Sequence, residues 1–124
     1  MKFEFATATR IVFGPGSVRE AISTAAALGS RAILITGSNP LRADAFRNDL
    51  RKHNVDCTVF SISGEPTIPS ILEGIRNAKE ARCDLVIGYG GGGALDAAKA
   101  ISALITNPGT PLDYLEVVSS GSAS

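Results

Sequence analysis

Five of the thirteen glycines in this sequence lie close together, between Gly88 and Gly93. They follow the strand-like run Asp84–Ile87 and precede an alanine-rich segment, so the pattern predicts a strand, a glycine turn and a helix. Glycine leaves the backbone of such a turn free to approach a phosphate closely. The first N–H groups of a helix have no partner within it, and the helix dipole adds roughly 0.3–1 kcal/mol of attraction for an anion. The glycine run therefore predicts a phosphate-binding site.

The spacing of Gly88, Gly90 and Gly93 matches the G-x-G-x-x-G pattern of dinucleotide-binding turns. That pattern usually follows the first strand of its fold and precedes, by about twenty residues, an acid at a strand end. Here it follows the last predicted strand, and Asp113, the acid at that distance, falls in a predicted proline-flanked loop. A Walker A loop is excluded because Lys99 is not followed by serine or threonine. The alternative is that these glycines only let the helix pack close to the sheet.

Two charged residues stand out in the nearly apolar helix predicted after the glycine run, which should be buried on most sides. Asp96 and Lys99 are three positions apart, so they can pair with each other on the helix surface. The functional alternative places Asp96 near the ligand, as an acceptor for a ribose or nicotinamide group.

The rest of the chain alternates between short apolar runs and segments with helical spacing. Continuous apolar runs such as Ala32–Ile35 are typical of parallel strands covered on both faces. Phe3–Thr7 and Arg10–Phe13 predict a hairpin at a sheet edge, closed by the glycine and proline residues at 14–16. The predicted order is this hairpin and then α-β-α-β-α-β-α, which indicates an α/β fold: a Rossmann-like parallel sheet with helices on both faces. Residues 1–118 form the predicted domain, and 119–124 a flexible tail or the start of an interdomain linker.

Several helix ends carry recognisable signals. Ser17 with Glu20 three residues later predicts a capping box, and Gly29 predicts a left-handed helix stop. Asn39 predicts an N-cap, with Pro40 at the first helical position.

Composition bounds the classes of partner. The 124 residues suit one domain, and twelve basic and twelve acidic side chains cancel, which argues against a nucleic-acid or anionic membrane surface. No apolar stretch approaches the roughly 18 residues of a membrane span. Cys57 and Cys83 lack metal-ligand or redox-motif spacing and predict buried, reduced thiols. We therefore expect a cytoplasmic protein.

The run from Ile87 to Ile101, IGYGGGGALDAAKAI, resembles the signature of iron-containing alcohol dehydrogenases, a family that includes related maleylacetate and glycerol oxidoreductases. Residues 10–17, 84–87 and 111–116 also resemble that family, in the same order, so the likeness extends from about residue 3 to 118. One departure is Gly93, where the family commonly has serine.

The resemblance implies the cofactor half of a two-domain enzyme, with NAD or NADP bound by its diphosphate at Gly90, Gly91, Gly92 and Gly93. It also implies a catalytic divalent metal, usually iron, held by one aspartate and three histidines of a C-terminal helical domain. This chain has one histidine, His53, which is predicted at a helix end and facing solvent. No catalytic residue or metal ligand is therefore predicted in these 124 residues, and the metal domain is expected to be absent.

A second cofactor contact is predicted in the loop that contains Gly37, Ser38 and Asn39. In the family an aspartate at the Gly37 position contacts the adenosine ribose and repels a 2′-phosphate. Glycine lacks that charge, while Ser38, Asn39 and Arg42 can contact a phosphate, so we hypothesise tolerance of NADP. Alternatively, Asn39 is simply the helix cap.

Three hypotheses follow. The leading one is a dinucleotide-binding domain of an iron-type alcohol dehydrogenase, in which hydride passes between an alcohol or carbonyl compound and nicotinamide, and which is inactive alone. The second is a truncated interaction module that no longer binds nucleotide and associates with itself, as a homodimer, or with a missing C-terminal domain. The third, a flavodoxin-like or receiver-like fold, fits less well because Thr36 ends the second predicted strand where an acid or phosphate loop is needed.

Overall fold

The structure is a computed structural model that describes residues 10–14, 16–107 and 110–118. In chain order its elements are β1 (Arg10–Phe13), α1 (Val18–Leu28), β2 (Arg31–Thr36), a 3-10 helix (Pro40–Ala43), α2 (Asp44–Lys52), β3 (Asp56–Ser61), α3 (Ile68–Glu80), β4 (Leu85–Gly90), α4 (Gly92–Leu104), β5 (Thr106–Asn107), β6 (Thr110–Pro111) and β7 (Asp113–Val118).

Five strands form one sheet in the order β1-β7-β4-β2-β3, and every neighbouring pair in it is parallel. Strands β5 and β6 form a separate short antiparallel pair. The predicted α/β class is confirmed. Of the predicted hairpin, Arg10–Phe13 is the edge strand β1, and Phe3–Thr7 lies outside the described residues.

Helices cover both faces of this sheet. Alternate residues of each central strand point to opposite sides, so apolar side chains on both faces need to be buried. One face packs against α1 and α2, in a cluster that includes Ala25, Leu34, Phe46, Leu50, Ile87 and Leu115. The other packs against α3 and α4, in a cluster that includes Ile33, Ile35, Ala78, Val86, Ala98 and Ile101. β2 and β4 are thus buried on both faces, as their continuous apolar sequences predict.

Strand β7 corrects the sequence prediction, which placed Asp113 in a loop. Asp113 is the first residue of β7 and lies beside Leu85, at the amino end of β4. The sequence did not predict this strand because it contains Asp113 and Glu116 and follows Pro111. Acidic residues and proline are both uncommon in central strands. The buried carboxylate of Glu116 accepts a hydrogen bond from the Tyr114 hydroxyl at 2.7 Å, which makes its burial tolerable. The glycine run consequently does not follow the last strand.

Three predicted helix ends also differ from the structure. Ser17 precedes α1 but its side chain makes no capping hydrogen bond, so the predicted capping box with Glu20 is wrong. Gly29 is extended, with φ −167°, and is not a left-handed stop. Pro40 does occupy the first helical position, whereas the Asn39 side chain makes no capping bond.

Candidate functional site

The predicted site lies where the sheet changes its direction of winding. β2 and β4 are neighbours, with Ile35 beside Gly88, yet α2 follows β2 on one face while α4 follows β4 on the other. The loops that leave two such strands diverge, and the crevice between them is where open α/β sheets bind ligands. The loop that begins at Gly37 and the run Gly90–Gly93 leave the sheet side by side at this edge.

The glycine run leaves the amino end of α4 open. Gly90 ends β4 with φ +131°, a conformation that L side chains rarely adopt, and Gly91 is the extended N-cap. A Cβ added to Gly92 would meet nothing within 4 Å. In the part of the chain that the structure describes, no backbone acceptor outside α4 takes the N–H groups of Gly92 and Gly93. The arrangement can therefore accept an anion at the start of α4.

Two other glycines of the run are in close contact with neighbouring elements. A Cβ on Gly88 would lie 2.7 Å from the Ala98 Cβ, so this glycine lets α4 pack close to β4. A Cβ on Gly93 would overlap the carbonyl oxygen of Gly64, in the loop between β3 and α3. Close packing thus explains Gly88 and Gly93 but not the open backbone at Gly92.

Gly64 is a neighbour of the site that the sequence did not indicate. It lies in a loop with an evident turn signal, Gly64-Glu65-Pro66, but nothing local indicates what that loop contacts. The contact arises because β3 lies beside β2, which brings the loop after β3 to the same edge of the sheet as the start of α4.

Asp96 and Lys99 do not pair with each other within the described part of the chain, and both are exposed. The helix α4 is buried on the side that carries Ala94, Ala97, Ala98 and Ile101, so the expectation of burial on most sides was too broad. Asp96 follows Gly92 by four residues, which places the two on the same side of the helix. Its carboxylate is therefore available on the side where α4 begins in open space.

The loop after β2 presents polar groups to solvent. Ser38 and Asn39 are exposed and Gly37 is half-buried, while the buried Thr36 hydroxyl donates to the Gly37 carbonyl at 3.2 Å. Because the Asn39 side chain makes no capping bond, the helix-cap alternative does not account for it. Arg42, in the 3-10 helix that follows, is also exposed.

Comparison with known proteins decides the family. A family model described as iron-containing alcohol dehydrogenase matches residues 8–123. The chain belongs to this family. It is 33% identical over 107 residues to the probable alcohol dehydrogenase EutG of Escherichia coli, covering 80% of this chain and 26% of that protein. It is 25% identical over 123 residues to the NADH-dependent butanol dehydrogenase A of Clostridium acetobutylicum, covering 94% of this chain and 31% of that protein.

The fold agrees with solved structures. The alcohol dehydrogenase from Oenococcus oeni superimposes with a TM-score of 0.73 at 24% identity, over 94% of this chain and 36% of that one. The chain spans about a quarter to a third of the length of the curated relatives compared above.

The described residues of this iron-containing alcohol dehydrogenase chain do not form a site for the metal that the family resemblance implies. Among residues 10–14, 16–107 and 110–118, no group of three or more histidine, cysteine, aspartate or glutamate side chains could hold a metal ion. His53 lies at the C-terminal end of α2, exposed as predicted, with its Nδ1 2.8 Å from the Asp49 carbonyl oxygen.

Neither cysteine of this iron-containing alcohol dehydrogenase chain is activated as a nucleophile. Burial raises the pKa of the Cys57 thiol from 9.0 to about 11, although Arg47 partly opposes the shift. Burial also raises the pKa of the Cys83 thiol, against a hydrogen bond from Thr58. Both thiols are free; Cys83 is buried as predicted, whereas Cys57 is only half-buried. Both thiols are therefore protonated at pH 7, and the thiol is a weaker nucleophile than the thiolate.

None of the helices in the described ranges has the length and apolar character needed to cross a membrane.

Proposed function

We propose that this chain is the dinucleotide-binding domain of an alcohol dehydrogenase that uses NAD or NADP. The observation that carries the proposal is the open amino end of α4, at Gly92, at the point where the sheet changes its direction of winding. Membership of the iron-containing alcohol dehydrogenase family supports it.

The residues at this edge suit the parts of a dinucleotide. The backbone N–H groups of Gly91–Gly93 would hold the diphosphate, with the helix dipole adding to the attraction. Gly37, Ser38 and Asn39 would lie by the adenosine end, and Asp96 would accept a hydrogen bond from a ribose or nicotinamide group. The chemistry that such a dinucleotide supplies is hydride transfer between nicotinamide and an alcohol or carbonyl carbon.

A protein of these 124 residues should bind the dinucleotide without catalysing alcohol oxidation. The family resemblance implies three histidine ligands for the metal that polarises the substrate oxygen, and the sequence contains only His53. The metal-binding groups would have to come from another polypeptide segment. The cytosol, as a reducing compartment, suits the two free thiols.

Glycine at position 37 favours tolerance of NADP as well as NAD. No carboxylate stands there to repel a 2′-phosphate, and the exposed Ser38 and Arg42 offer a hydroxyl and a positive charge. The relative named as NADH-dependent points the other way, so titrations with NADH and NADPH decide this point. A clear preference for NADH would refute tolerance of NADP.

Thermal shift with NADH and NADPH tests the proposed function. At a tenfold excess over Kd, a ligand that binds only the folded state stabilises it by about 1.4 kcal/mol. We expect this shift in the wild type and its loss in Gly91→Asp, whose carboxylate would repel the diphosphate. Ser23→Asp adds the same charge on an exposed position of α1 and should keep the shift.

The competing function is an interaction module that has lost nucleotide binding. It predicts no thermal shift with either dinucleotide, together with self-association or association with a separate C-terminal domain. Absence of a shift in the wild type at millimolar NADH and NADPH would favour it over the dinucleotide proposal.

A further inference from the structure

We propose that Gly93 is a positioning residue, which shapes the nucleotide site by letting the loop between β3 and α3 lie against the first turn of α4. The proposal rests on the proposed dinucleotide binding at that turn. It assigns Gly93 a different task from Gly92, where an added Cβ would meet nothing within 4 Å.

The contact between loop and helix is made by backbone on both sides. A Cβ on Gly93 would overlap the Gly64 carbonyl oxygen, lie 3.1 Å from the Gly64 carbonyl carbon and 3.9 Å from the Glu65 Cα. Backbone atoms cannot rotate away as the end of a flexible side chain can. A side chain at position 93 must therefore displace either the loop or the first turn of α4.

The loop is fixed at both of its ends, which limits how far it can move. At its start, the Ile62 N–H donates to the Thr36 carbonyl at 2.8 Å, and the Ile62 side chain is buried. At its end, Thr67 and Ser70 form a capping box: the Thr67 N–H donates to the Ser70 hydroxyl at 2.8 Å, and the Ser70 N–H donates to the Thr67 hydroxyl at 3.2 Å. A side chain at 93 should consequently disturb the first turn of α4, where the diphosphate would bind.

This geometry reverses a natural expectation about serine. A serine hydroxyl at position 93, beside the glycine run, would be expected to add a donor for the diphosphate. In this chain the space for that side chain is occupied by the Gly64 carbonyl, which is an acceptor. Gly93→Ser should therefore weaken dinucleotide binding.

The test compares Gly93→Ser and Gly93→Ala with the wild type of the full chain, and with Gly14→Ser as a matched control. Gly14 also lies in a loop after a strand, and a Cβ there meets nothing within 4 Å. We expect both Gly93 variants to lower the Tm of the free protein by about 4 °C or more. We also expect their folded forms to bind NADH at least tenfold more weakly, while Gly14→Ser changes neither quantity.

Hydrogen exchange of the peptide 62–67 gives a second measurement, and its comparison of free and NADH-bound wild type does not depend on the variants folding. Exchange should be faster in the Gly93 variants than in the wild type, and should slow in the wild type when NADH binds. Wild-type NADH binding that Gly93→Ser retains or improves would overturn the proposal, as would a lower Tm with unchanged affinity or exchange at 62–67 that NADH leaves unaltered. Failure of the wild type to bind NADH would instead overturn the proposed function and this inference with it.

Discussion

Glycine is required around the carboxyl end of β4 for several different physical reasons. Gly90 has a positive φ, Gly88 lets Ala98 approach, and Gly93 lets the Gly64 backbone approach. Gly92 meets no such constraint from within the protein, so its open space is the feature that points to a ligand. The sequence predicts the run and its place between strand and helix, but not these separate tasks, because the neighbours are distant in the chain.

Gly29 ends a helix at the predicted position, but for a different physical reason from the one predicted. The glycine ends α1 as predicted, yet its backbone is extended, and a Cβ there would overlap the Asp84 carboxylate. That carboxylate accepts hydrogen bonds from the N–H groups of Ser30 and Arg31, at 3.1 and 3.0 Å. Asp84 thus joins the amino ends of β2 and β4, a contact that no local pattern could predict.

Asp84→Ala should destabilise the fold by about 1–3 kcal/mol, because it removes the acceptor of two backbone N–H groups. Asp56→Ala is the matched control, since Asp56 is an exposed aspartate at the start of the neighbouring strand β3. It should change stability by less than about 0.5 kcal/mol. Urea unfolding of both variants checks this; equal effects would contradict the account of Asp84.

At the scale of elements, α3 and α4 pack more closely than the apolar pattern indicates. Leu72 is apolar yet 58% exposed on α3, whereas Gly74 is buried. A Cβ on Gly74 would lie 2.5 Å from the Ile101 Cδ1 and 3.1 Å from the Phe60 ring. Periodicity finds the face of a helix but treats glycine as neutral, so it misses a position where close approach selects for the absence of a side chain.

Gly74→Ala and Ile101→Val should be coupled, because valine lacks the Cδ1 that the new Cβ would meet. Ile101→Val alone should cost about 0.5–1.5 kcal/mol. In that background alanine at 74 should gain most of its helix preference over glycine, so the substitution should be about 1 kcal/mol more favourable than in the wild type. Denaturant unfolding of the four proteins measures the coupling, and additive effects would show that the two residues do not limit the packing.

β7 is the strand of the five-stranded sheet that the sequence did not reveal. Its sequence, DYLEVV, places two acids in a strand of which four residues are buried, a combination that the apolar pattern of a central strand excludes. The Tyr114 hydroxyl lies 2.7 Å from the Glu116 carboxylate and 3.2 Å from the Leu95 carbonyl oxygen, so polar contacts with its own strand and with α4 satisfy the burial. The contact with Leu95 cannot be predicted from the sequence of β7, because it depends on how α4 packs on the sheet.

At the scale of the whole molecule, the alternation of apolar runs and helical segments was sufficient to predict an α/β sheet covered on both faces. The strand order was not predictable from that alternation, yet it creates the candidate site by placing β2 beside β4. The strand order also leaves β3 at an edge of the sheet. There Arg47 of α2 donates a hydrogen bond to the Cys57 carbonyl at 3.4 Å. A charged side chain over an edge strand discourages pairing with another chain.

The most direct measurement of the central claim is an amide NMR titration of the ¹⁵N-labelled chain with NAD and NADP. We expect the amide signals of Gly91, Gly92 and Gly93 to shift together on binding, because these N–H groups would hold the diphosphate. Gly74, a buried residue of α3 that faces Ile101 of α4, should give an unchanged signal. Saturating dinucleotide that leaves the glycine-run signals in place, or that shifts only residues elsewhere, would contradict the claim that the start of α4 binds it.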